Sequence, residues 1–327
     1  MTGGSGFVGR VLARRLVAHG DDVTVSVRNR SRVAELAELD GTTIVEDDLT
    51  DVRRLADALR GHDAVIHAAG SYRVGIARTE RGAMWDANIG ATTRVLDAVE
   101  VAGIPRIVYL STCSVLGDTH GRVVDESWRR DIGDGFVSWY DETKFGAHEV
   151  AQQRARAGAP VVTVLPSQVY GPGDHSAIGA QLRDAYRGTL RYRALEEAGL
   201  GFVHVEDLAA GILAAVDRGR VGESYILSGP QVRLADATRV AAELGGQRLP
   251  PVIPTSLLRL LVPIGGLIGR PGLAELVASA GATFWGSSAK AEAELGFSAR
   301  SLEDGLRATF GLPARDLPPA APGTDPA

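Results

Sequence analysis

Two kinds of hydrophobic pattern alternate along the first part of the chain. Short apolar runs are typical of buried strands, and longer stretches with apolar residues at helical spacing are typical of amphipathic helices. The runs predict strands at residues 22–27, 64–68, 106–111 and 161–165, and the helical spacing predicts helices at residues 8–19, 51–59, 82–102 and 140–157. This alternation predicts an α/β fold with a doubly wound parallel sheet covered on both faces.

The pattern loosens beyond residue 173, where helices are predicted at residues 205–217, 234–244 and 288–295. We expect residues 1–173 to form the sheet domain, with residues 205–227 returning to it. Residues 174–312 are expected to form mainly a smaller substrate-binding lobe. The proline-rich tail at residues 313–327 is predicted to be disordered.

One apolar stretch, residues 257–268, resembles a membrane segment at first sight. It is about 12 residues long and carries Arg259 and Pro263, whereas a spanning helix needs about 20 apolar residues. The stretch therefore predicts a buried or interfacial helix, and no stable membrane insertion is expected.

Composition narrows the function classes further. The chain has 35 basic and 40 acidic residues and a net charge of -5, so it lacks the basic surplus that nucleic-acid binding favours. The single cysteine, Cys113, excludes an intramolecular disulfide, and the seven histidines show no metal-binding spacing. We therefore expect no metal and no nucleic-acid partner. The N-terminus does not resemble a signal peptide, so a cytoplasmic location is expected.

A glycine-rich segment begins at the second residue. In Gly3-x-x-Gly6-x-x-Gly9, the first glycine permits a tight turn, the second lets the backbone approach a pyrophosphate, and the third lets the helix pack on the sheet. Free N–H groups and the positive end of the following helix favour an anion there. The segment predicts a dinucleotide site of the Rossmann type.

Such a turn normally follows a buried strand, and Met1 leaves no room for one. In the usual doubly wound order that strand is central, so its loss exposes ladder groups on two neighbours. We therefore expect the true start to lie a few codons upstream, with Met1 a valine codon read as initiator. Intact mass of the native protein tests this, and a mass that begins at Met1 would refute it.

The ends of the second and third strands bear on the adenosine half of the cofactor. An acidic residue after the second strand binds the ribose of NAD, whereas an arginine accommodates the 2′-phosphate of NADP. This chain has Arg28 there, with Arg30 or Ser31 as a second grip, and no carboxylate. Asp48, at the end of the third strand, either accepts from the adenine amino group or caps the next helix.

A tyrosine and a lysine one helical turn apart form the candidate catalytic pair. Lys144 follows Tyr140 by four residues, so both lie on one helix face. A nearby ammonium ion is expected to lower the pKa of the phenol. A hydroxyl to hold the substrate oxygen comes from Ser111, Thr112 or Ser114. Cys113 is interpreted as a packing residue, and His67, in a strand, as structural.

With these motifs in order, the chain resembles the extended short-chain dehydrogenase/reductase family, also called the NAD-dependent epimerase/dehydratase family, over about residues 1–310. The resemblance rests on residues 2–9, 48–51, 65–70, 88, 110–112, 140–144, 166–174 and 202–207. It implies Thr112, Tyr140 and Lys144 as catalytic residues, with Thr112 placed by aligning Gly117 with the family glycine. It implies a homodimer through the two long helices. The cofactor-binding residues expected from motif and resemblance together are Thr2, Gly3, Gly6, Phe7, Val8, Arg28, Asp48, Leu49, Ala68, Ala69, Gly70, Asn88, Tyr140, Lys144, Pro166 and Val169.

The expected activity is NADPH-dependent reduction of a carbonyl group on a small molecule, or the reverse oxidation, with NAD as the alternative cofactor. Members that resemble the chain most are dihydroflavonol-reductase-like, 3β-hydroxysteroid-dehydrogenase-like and hopanoid-associated sugar-epimerase-like. Two alternatives stay open: a nucleotide-sugar epimerase or dehydratase with tightly bound NAD, and a non-catalytic NADP sensor. Side chains alone do not name the substrate.

Overall fold

The computed structural model describes residues 1–267 and 272–314. The strands are β1 Val23–Val27, β2 Thr42–Glu46, β3 Val65–His67, β4 Ile107–Leu110, β5 Val161–Pro166, β6 Gln168–Tyr170, β7 Gly199–His204, β8 Ser224–Leu227, β9 Gln231–Arg233 and β10 Thr283–Phe284. The α-helices are α1 Phe7–His19, α2 Ala34–Ala37, α3 Val52–Leu59, α4 Arg81–Trp85, α5 Ala91–Ala102, α6 Trp139–Arg156, α7 Ala177–Arg187, α8 Val205–Arg218, α9 Leu234–Leu244, α10 Thr255–Leu267, α11 Gly272–Ser279, α12 Ala289–Leu295 and α13 Leu302–Phe310.

The main sheet is parallel, and its central strand is very short. β1 pairs with β2, and β3, β4, β5 and β8 pair in that order. Between the two groups, Thr2 alone bridges to Ser26 on one side and to His67 on the other. Its N–H donates to the Ile66 carbonyl at 2.9 Å, and the Met1 carbonyl accepts from Ser26 at 2.8 Å. The position of the central strand is thus held by two residues, and the spatial order confirms the predicted doubly wound fold.

Helices cover both faces of this sheet, as the alternating pattern predicts. On one face α1 packs against α8, and Leu12, Leu208 and Ile212 are fully buried. On the other face α3, α5 and α6 pack together over Val95 and Ala147. Because both faces are covered, the central strands β3, β4 and β5 are almost continuously buried, whereas β1 alternates between buried and half-buried residues.

A second sheet lies at the junction with the C-terminal region. β6 begins two residues after β5 ends, pairs with β7, and β7 in turn pairs with β10 and, antiparallel, with β9. Helices α7 and α9 pack together around a core that includes Tyr170, Phe202 and Leu234. The short link from β5 to β6 therefore places the end of the main sheet against this second layer.

The stretch predicted as one helix at residues 82–102 contains a π-helical turn. α4 leads into the π-helix Asp86–Gly90, which leads into α5. A π turn accommodates one extra residue within a helix, and such turns are frequent at functional sites.

The apolar stretch at 257–268 lies in α10, where Leu258 is buried and Leu260 is 73% exposed. Its last residue, Ile268, and the tail beyond residue 314 lie outside the described residues. Within residues 1–267 and 272–314, no helix has the length and apolar character that crossing a membrane requires.

Candidate active site

The glycine turn packs so closely against neighbouring backbone that Gly3 and Gly9 have no room for side chains. Gly3 has φ +77°, and a Cβ there would come within 2.6 Å of the Ala68 carbonyl carbon and the Ala69 nitrogen. A Cβ on Gly9 would approach the Gly3 carbonyl oxygen to 2.2 Å. Gly6 is the N-cap of α1 and offers no side-chain cap, so the first N–H groups of the helix, at Phe7 and Val8, are free to meet an anion. These features fit a pyrophosphate.

Thr2 is tied to the interior by a chain of hydrogen bonds through His67. The Ala69 N–H donates to Thr2 Oγ1 at 3.2 Å, and Thr2 Oγ1 lies 2.8 Å from His67 Nδ1. His67 Nε2 lies 3.1 Å from Thr92 Oγ1, which donates to the Asn88 carbonyl at 2.7 Å. Because the Thr92 proton is used on Asn88, His67 must donate from Nε2 and accept at Nδ1.

Burial lowers the pKa of His67 to about 3, so the ring stays neutral and suits this chain of neutral donors. This placement agrees with the interpretation of His67 as structural. These hydrogen bonds join the dinucleotide turn at Thr2 to the π-helix at Asn88.

Arg28 stands free at the end of β1. Its side chain is exposed, and it has no hydrogen bond or ion pair within the residues that the structure describes. Arg30, the second candidate grip, donates to the Ile44 carbonyl at 2.5 Å, and the Ser31 hydroxyl donates to Asn29 at 2.7 Å. Of the three, Arg28 is the one whose polar group is not already used.

Asp48 does not cap α3. Asp51 does, accepting from the Arg53 and Arg54 N–H groups at 2.9 and 3.1 Å, so the capping alternative for Asp48 was wrong. Asp48 is exposed, and its carboxylate accepts from the Thr50 hydroxyl and N–H, which lower its pKa. One face of an exposed carboxylate is therefore available at the end of β2.

Leu49 follows in the left-handed conformation with φ +61° and is buried. Its N–H donates to Asp47 at 2.7 Å, and its carbonyl accepts from Arg94 Nε at 2.6 Å. A non-glycine residue held in this strained region is typical of ligand clamps.

Ala68, Ala69 and Gly70 follow β3, and Asn88 braces the loop after them. The Asn88 side chain accepts from the Ser71 N–H at 2.7 Å and donates to the Ser71 carbonyl at 3.2 Å and to Thr143 Oγ1 at 2.9 Å. The amide of Asn88 is thus engaged within the protein and links this loop to α6. Its contact with a cofactor stays a prediction.

Tyr140 and Lys144 lie one turn apart at the start of α6, as predicted. Ser138 caps the helix by accepting from the Asp141 N–H at 3.1 Å. Lys144 is buried; its ammonium group donates to the Leu110 carbonyl at 2.9 Å and lies 5.2 Å from the centre of the Tyr109 ring.

Of the three candidate hydroxyls, Thr112 is the one paired with Tyr140. A hydrogen bond from its side chain lowers the pKa of that phenol, and the Thr112 oxygen also accepts from the Ser114 N–H at 3.2 Å. Ser111 instead lies 3.0 Å from His148 Nδ1. Cys113 is buried with its thiol directed at the Leu165 carbonyl, and burial raises its pKa, which fits a packing role.

Burial, not the neighbouring lysine, dominates the acidity of Tyr140. Burial raises its pKa, the adjacent phenol of Tyr72 adds to that, and the Thr112 hydrogen bond opposes it. The pKa of Tyr140 is therefore raised overall, and the expected net lowering was wrong. The pKa of Lys144 is itself lowered to about 8 by burial.

Pro166 ends β5 and Val169 lies in β6, so both expected nicotinamide contacts lie at the junction of the two sheets. Tyr72 is a site residue to which the sequence analysis assigned no role. Its ring meets that of Tyr140 edge-on, with centroids 4.8 Å apart. Its position two residues after Gly70 is the signal that could have indicated it. Within residues 1–267 and 272–314, no cluster of metal-ligating side chains occurs.

Comparison with known proteins agrees with this geometry. The sequence profile described as "NAD dependent epimerase/dehydratase family" matches residues 1–228. The chain is 30% identical over 265 residues to sterol demethylase protein B of Methylococcus capsulatus, covering 79% of this chain and 78% of that one. It is 31% identical to the 4-hydroxy-2-methyl-3-oxo-4-farnesyl-3,4-dihydroquinoline-1-oxide ketoreductase of Stigmatella aurantiaca, covering 92% and 91%.

Among solved structures, the dTDP-glucose 4,6-dehydratase DesIV of Streptomyces venezuelae, crystallised as a double mutant with NAD, superposes with a TM-score of 0.76 at 25% identity and covers 95% of this chain and 94% of that one. The doubly wound sheet agrees with this likeness. The chain therefore belongs to the NAD-dependent epimerase/dehydratase family, within the extended short-chain dehydrogenases/reductases, and is an enzyme of the oxidoreductase or epimerase type.

Proposed function

We propose that this enzyme reduces a carbonyl group on a small molecule with NADPH, or catalyses the reverse oxidation. The observation that carries the proposal is the convergence of Thr112, Tyr140 and a buried Lys144 at the carboxyl end of β4, beside a side-chain-free glycine turn. The ketoreductase relative, which matches over nearly its whole length, supports reduction as the reaction.

NADP is the proposed cofactor because of Arg28. Its guanidinium is exposed and unpaired among the described residues, and no carboxylate follows β1 to bind the ribose of NAD or to repel a 2′-phosphate. A guanidinium matches phosphate geometry well. NAD is the alternative.

Each catalytic side chain has a role that its surroundings support. A bound nicotinamide supplies or accepts the hydride. Tyr140, kept protonated by burial, donates its proton to the carbonyl oxygen, and Thr112 orients that oxygen through its hydroxyl. Lys144, held by the Leu110 carbonyl, is positioned to bind ribose hydroxyls and to stabilise negative charge on the Tyr140 phenolate after proton transfer.

A second candidate function is nucleotide-sugar epimerisation or dehydration with tightly bound NAD. The likeness to DesIV, which carries NAD and is named as a dehydratase, favours it. The two candidates differ in cofactor traffic, because an epimerase regenerates its cofactor in each turnover whereas a reductase must exchange it.

The test begins with the nucleotide that the purified protein carries. Protein is denatured and released nucleotide is identified by mass spectrometry, and the emptied protein is titrated with NADPH and NADH. We expect little bound nucleotide and tighter NADPH binding. Stoichiometric NAD, with no preference for NADPH, would reject the reductase in favour of the epimerase.

The substrate class is tested by measuring NADPH consumption with a panel of carbonyl compounds such as 2,3-hexanedione, 4-nitrobenzaldehyde and decanal, with Tyr140→Phe as the blank.

We also infer a cytoplasmic homodimer formed through α5 and α6. Val101 on α5 is 58% exposed and Trp85, at the end of α4, is 48% exposed, which supports an interface there. Light scattering of the purified protein tests this, and a monomer at micromolar concentration would refute it.

A further inference from the structure

A buried ion pair lies directly beside Tyr140. The carboxylate of Asp141, the next residue in α6, is bound by both terminal nitrogens of Arg130 at 2.8 Å each. The side chains are 4% and 1% exposed. Asp141 also accepts from the Val137 N–H at 3.2 Å, and the guanidinium of Arg130 stacks 4.2 Å from the centre of the Phe136 ring.

Arg130 also contacts the 3₁₀ turn that begins after Thr112. It donates to the Gly135 carbonyl at 2.6 Å and, more distantly, to the Ser114 carbonyl at 3.4 Å. Ser114 belongs to the 3₁₀ turn that Thr112 caps. A Cβ on Gly117, at the end of this turn, would approach Arg130 Cγ to 2.8 Å, so the turn and the arginine stem are in close contact.

Arg130 therefore touches both segments whose hydroxyls must meet. We propose that the Arg130–Asp141 pair is a positioning pair, which holds the Thr112 turn against the first turn of α6 and so sets the contact between Thr112 and Tyr140. The proposal rests on the proposed function only in assigning a catalytic use to the contact between Thr112 and Tyr140. A bidentate arginine–carboxylate pair fixes geometry as well as charge.

The charges around Tyr140 make the proposal testable without substrate. Asp141 and Lys144 lie on its own helix, Tyr72 on the loop after β3, and Arg130 on the segment before α6. Asp141 and Tyr72 raise the pKa of Tyr140, and the Thr112 hydroxyl lowers it. Loss of the Thr112 contact should therefore raise the pKa of the phenol, by about one pH unit for one hydrogen bond to the charged form.

The experiment is a double-mutant cycle read at residue 140. 3,5-Difluorotyrosine, a more acidic phenol, replaces Tyr140 in the full-length protein, and ¹⁹F NMR follows its ionisation with and without NADPH. Thr112→Val is made in the parent and in Arg130→Met/Asp141→Leu, an apolar exchange that buried ion pairs often tolerate. We expect Thr112→Val to shift the midpoint by about one pH unit in the parent and by less than a third of that in the exchanged background.

The control background is Arg300→Met/Asp207→Leu, which removes a more exposed arginine–aspartate pair (2.6 Å) whose aspartate lies in α8. There Thr112→Val should keep its full effect. An equal Thr112→Val effect in the exchanged and parent backgrounds overturns the proposal.

Should the Arg130→Met/Asp141→Leu protein not fold, Asp141→Asn serves as the background in its place. In that background too, Thr112→Val should shift the midpoint by less than a third of its effect in the parent, and an equal effect overturns the proposal. Absence of NADPH binding would reject the proposed function and leave this titration intact.

Discussion

Lys144 should carry an unusually acidic ammonium group, and this can be measured directly. Its side chain is 8% exposed, and burial lowers its pKa from 10.5 to about 8. That difference corresponds to roughly 3 kcal/mol of solvation lost by the charged form. At pH 7 about one Lys144 in ten would then be a free amine, against about one in 3,000 for an ordinary lysine, a ratio of roughly 300.

The composition of the chain makes the assay clean. Of the 35 basic residues only two are lysines, Lys144 and Lys290. Lys290 pairs with Glu223 at 2.6 Å and lies near the surface. Brief labelling with an amine acylating reagent at a series of pH values, followed by peptide mass spectrometry, gives a reactivity curve for each lysine separately. Lys290→Arg leaves Lys144 as the only lysine and serves as the control for cross-assignment.

The expected result is a Lys144 curve with its midpoint near pH 8. The shape of the curve matters and not its height, because burial also slows access of the reagent. Saturating NADPH should suppress the reaction of Lys144 if its ammonium group meets the ribose hydroxyls. A Lys144 curve that is still rising steeply at pH 10 would refute the burial argument.

Three further predictions concern catalysis, cofactor choice and acid stability. Tyr140→Phe should lower turnover by about 10²–10⁴-fold and leave the Kd for NADPH within about twofold; an active variant would exclude Tyr140 as proton donor. Arg28→Ala should weaken NADPH binding by about 10- to 100-fold without changing NADH binding, whereas Arg14→Ala, an exposed arginine on α1, should change neither in the same calorimetric titration. Burial lowers the pKa of His67 to about 3 and of His204 to about 4, from 6.5, so the unfolded chain binds protons that the folded one excludes. The contribution of each histidine to the free energy of unfolding should therefore be fully present above pH 6.5 and fall by roughly 1.4 kcal/mol per pH unit between pH 6.5 and about 4. A free energy of unfolding in urea that stays constant from pH 7 to 5 would contradict this.

Sequence periodicity was sufficient for the parts of the fold that depend on local pattern. The helix at 234–244 is reproduced to the residue, and the spacing of Tyr140 and Lys144 fixes their shared face whatever surrounds them. The glycine turn could equally be predicted from the sequence, because only a residue without Cβ fits at Gly3 and Gly9.

Contacts between segments that lie far apart in the chain could not be predicted from the sequence. Asp47, Asp48 and Asp51 are chemically alike in the sequence, and only the structure shows that Asp51 caps the helix while Asp47 is buried. Arg130 and Asp141 have the composition of a solvated surface segment, and their burial depends on the fold of the loop between them. The pKa of Tyr140 was expected to fall because a nearby cation is visible in the sequence, whereas the burial that raises it is a property of the folded chain.

The route from Thr2 through His67 and Thr92 to Asn88 bears on redesign of the enzyme. Every hydroxyl along it has one possible direction, so a substitution at Thr2 would disturb the loop at Ser71 and the helix of Tyr140 as well as the pyrophosphate site. Arg28 lies outside this route. Nicotinamide coenzyme preference should therefore be exchangeable at the edge of the molecule while the proton-transfer machinery keeps its settings, and directed evolution of the two properties can proceed in separate libraries.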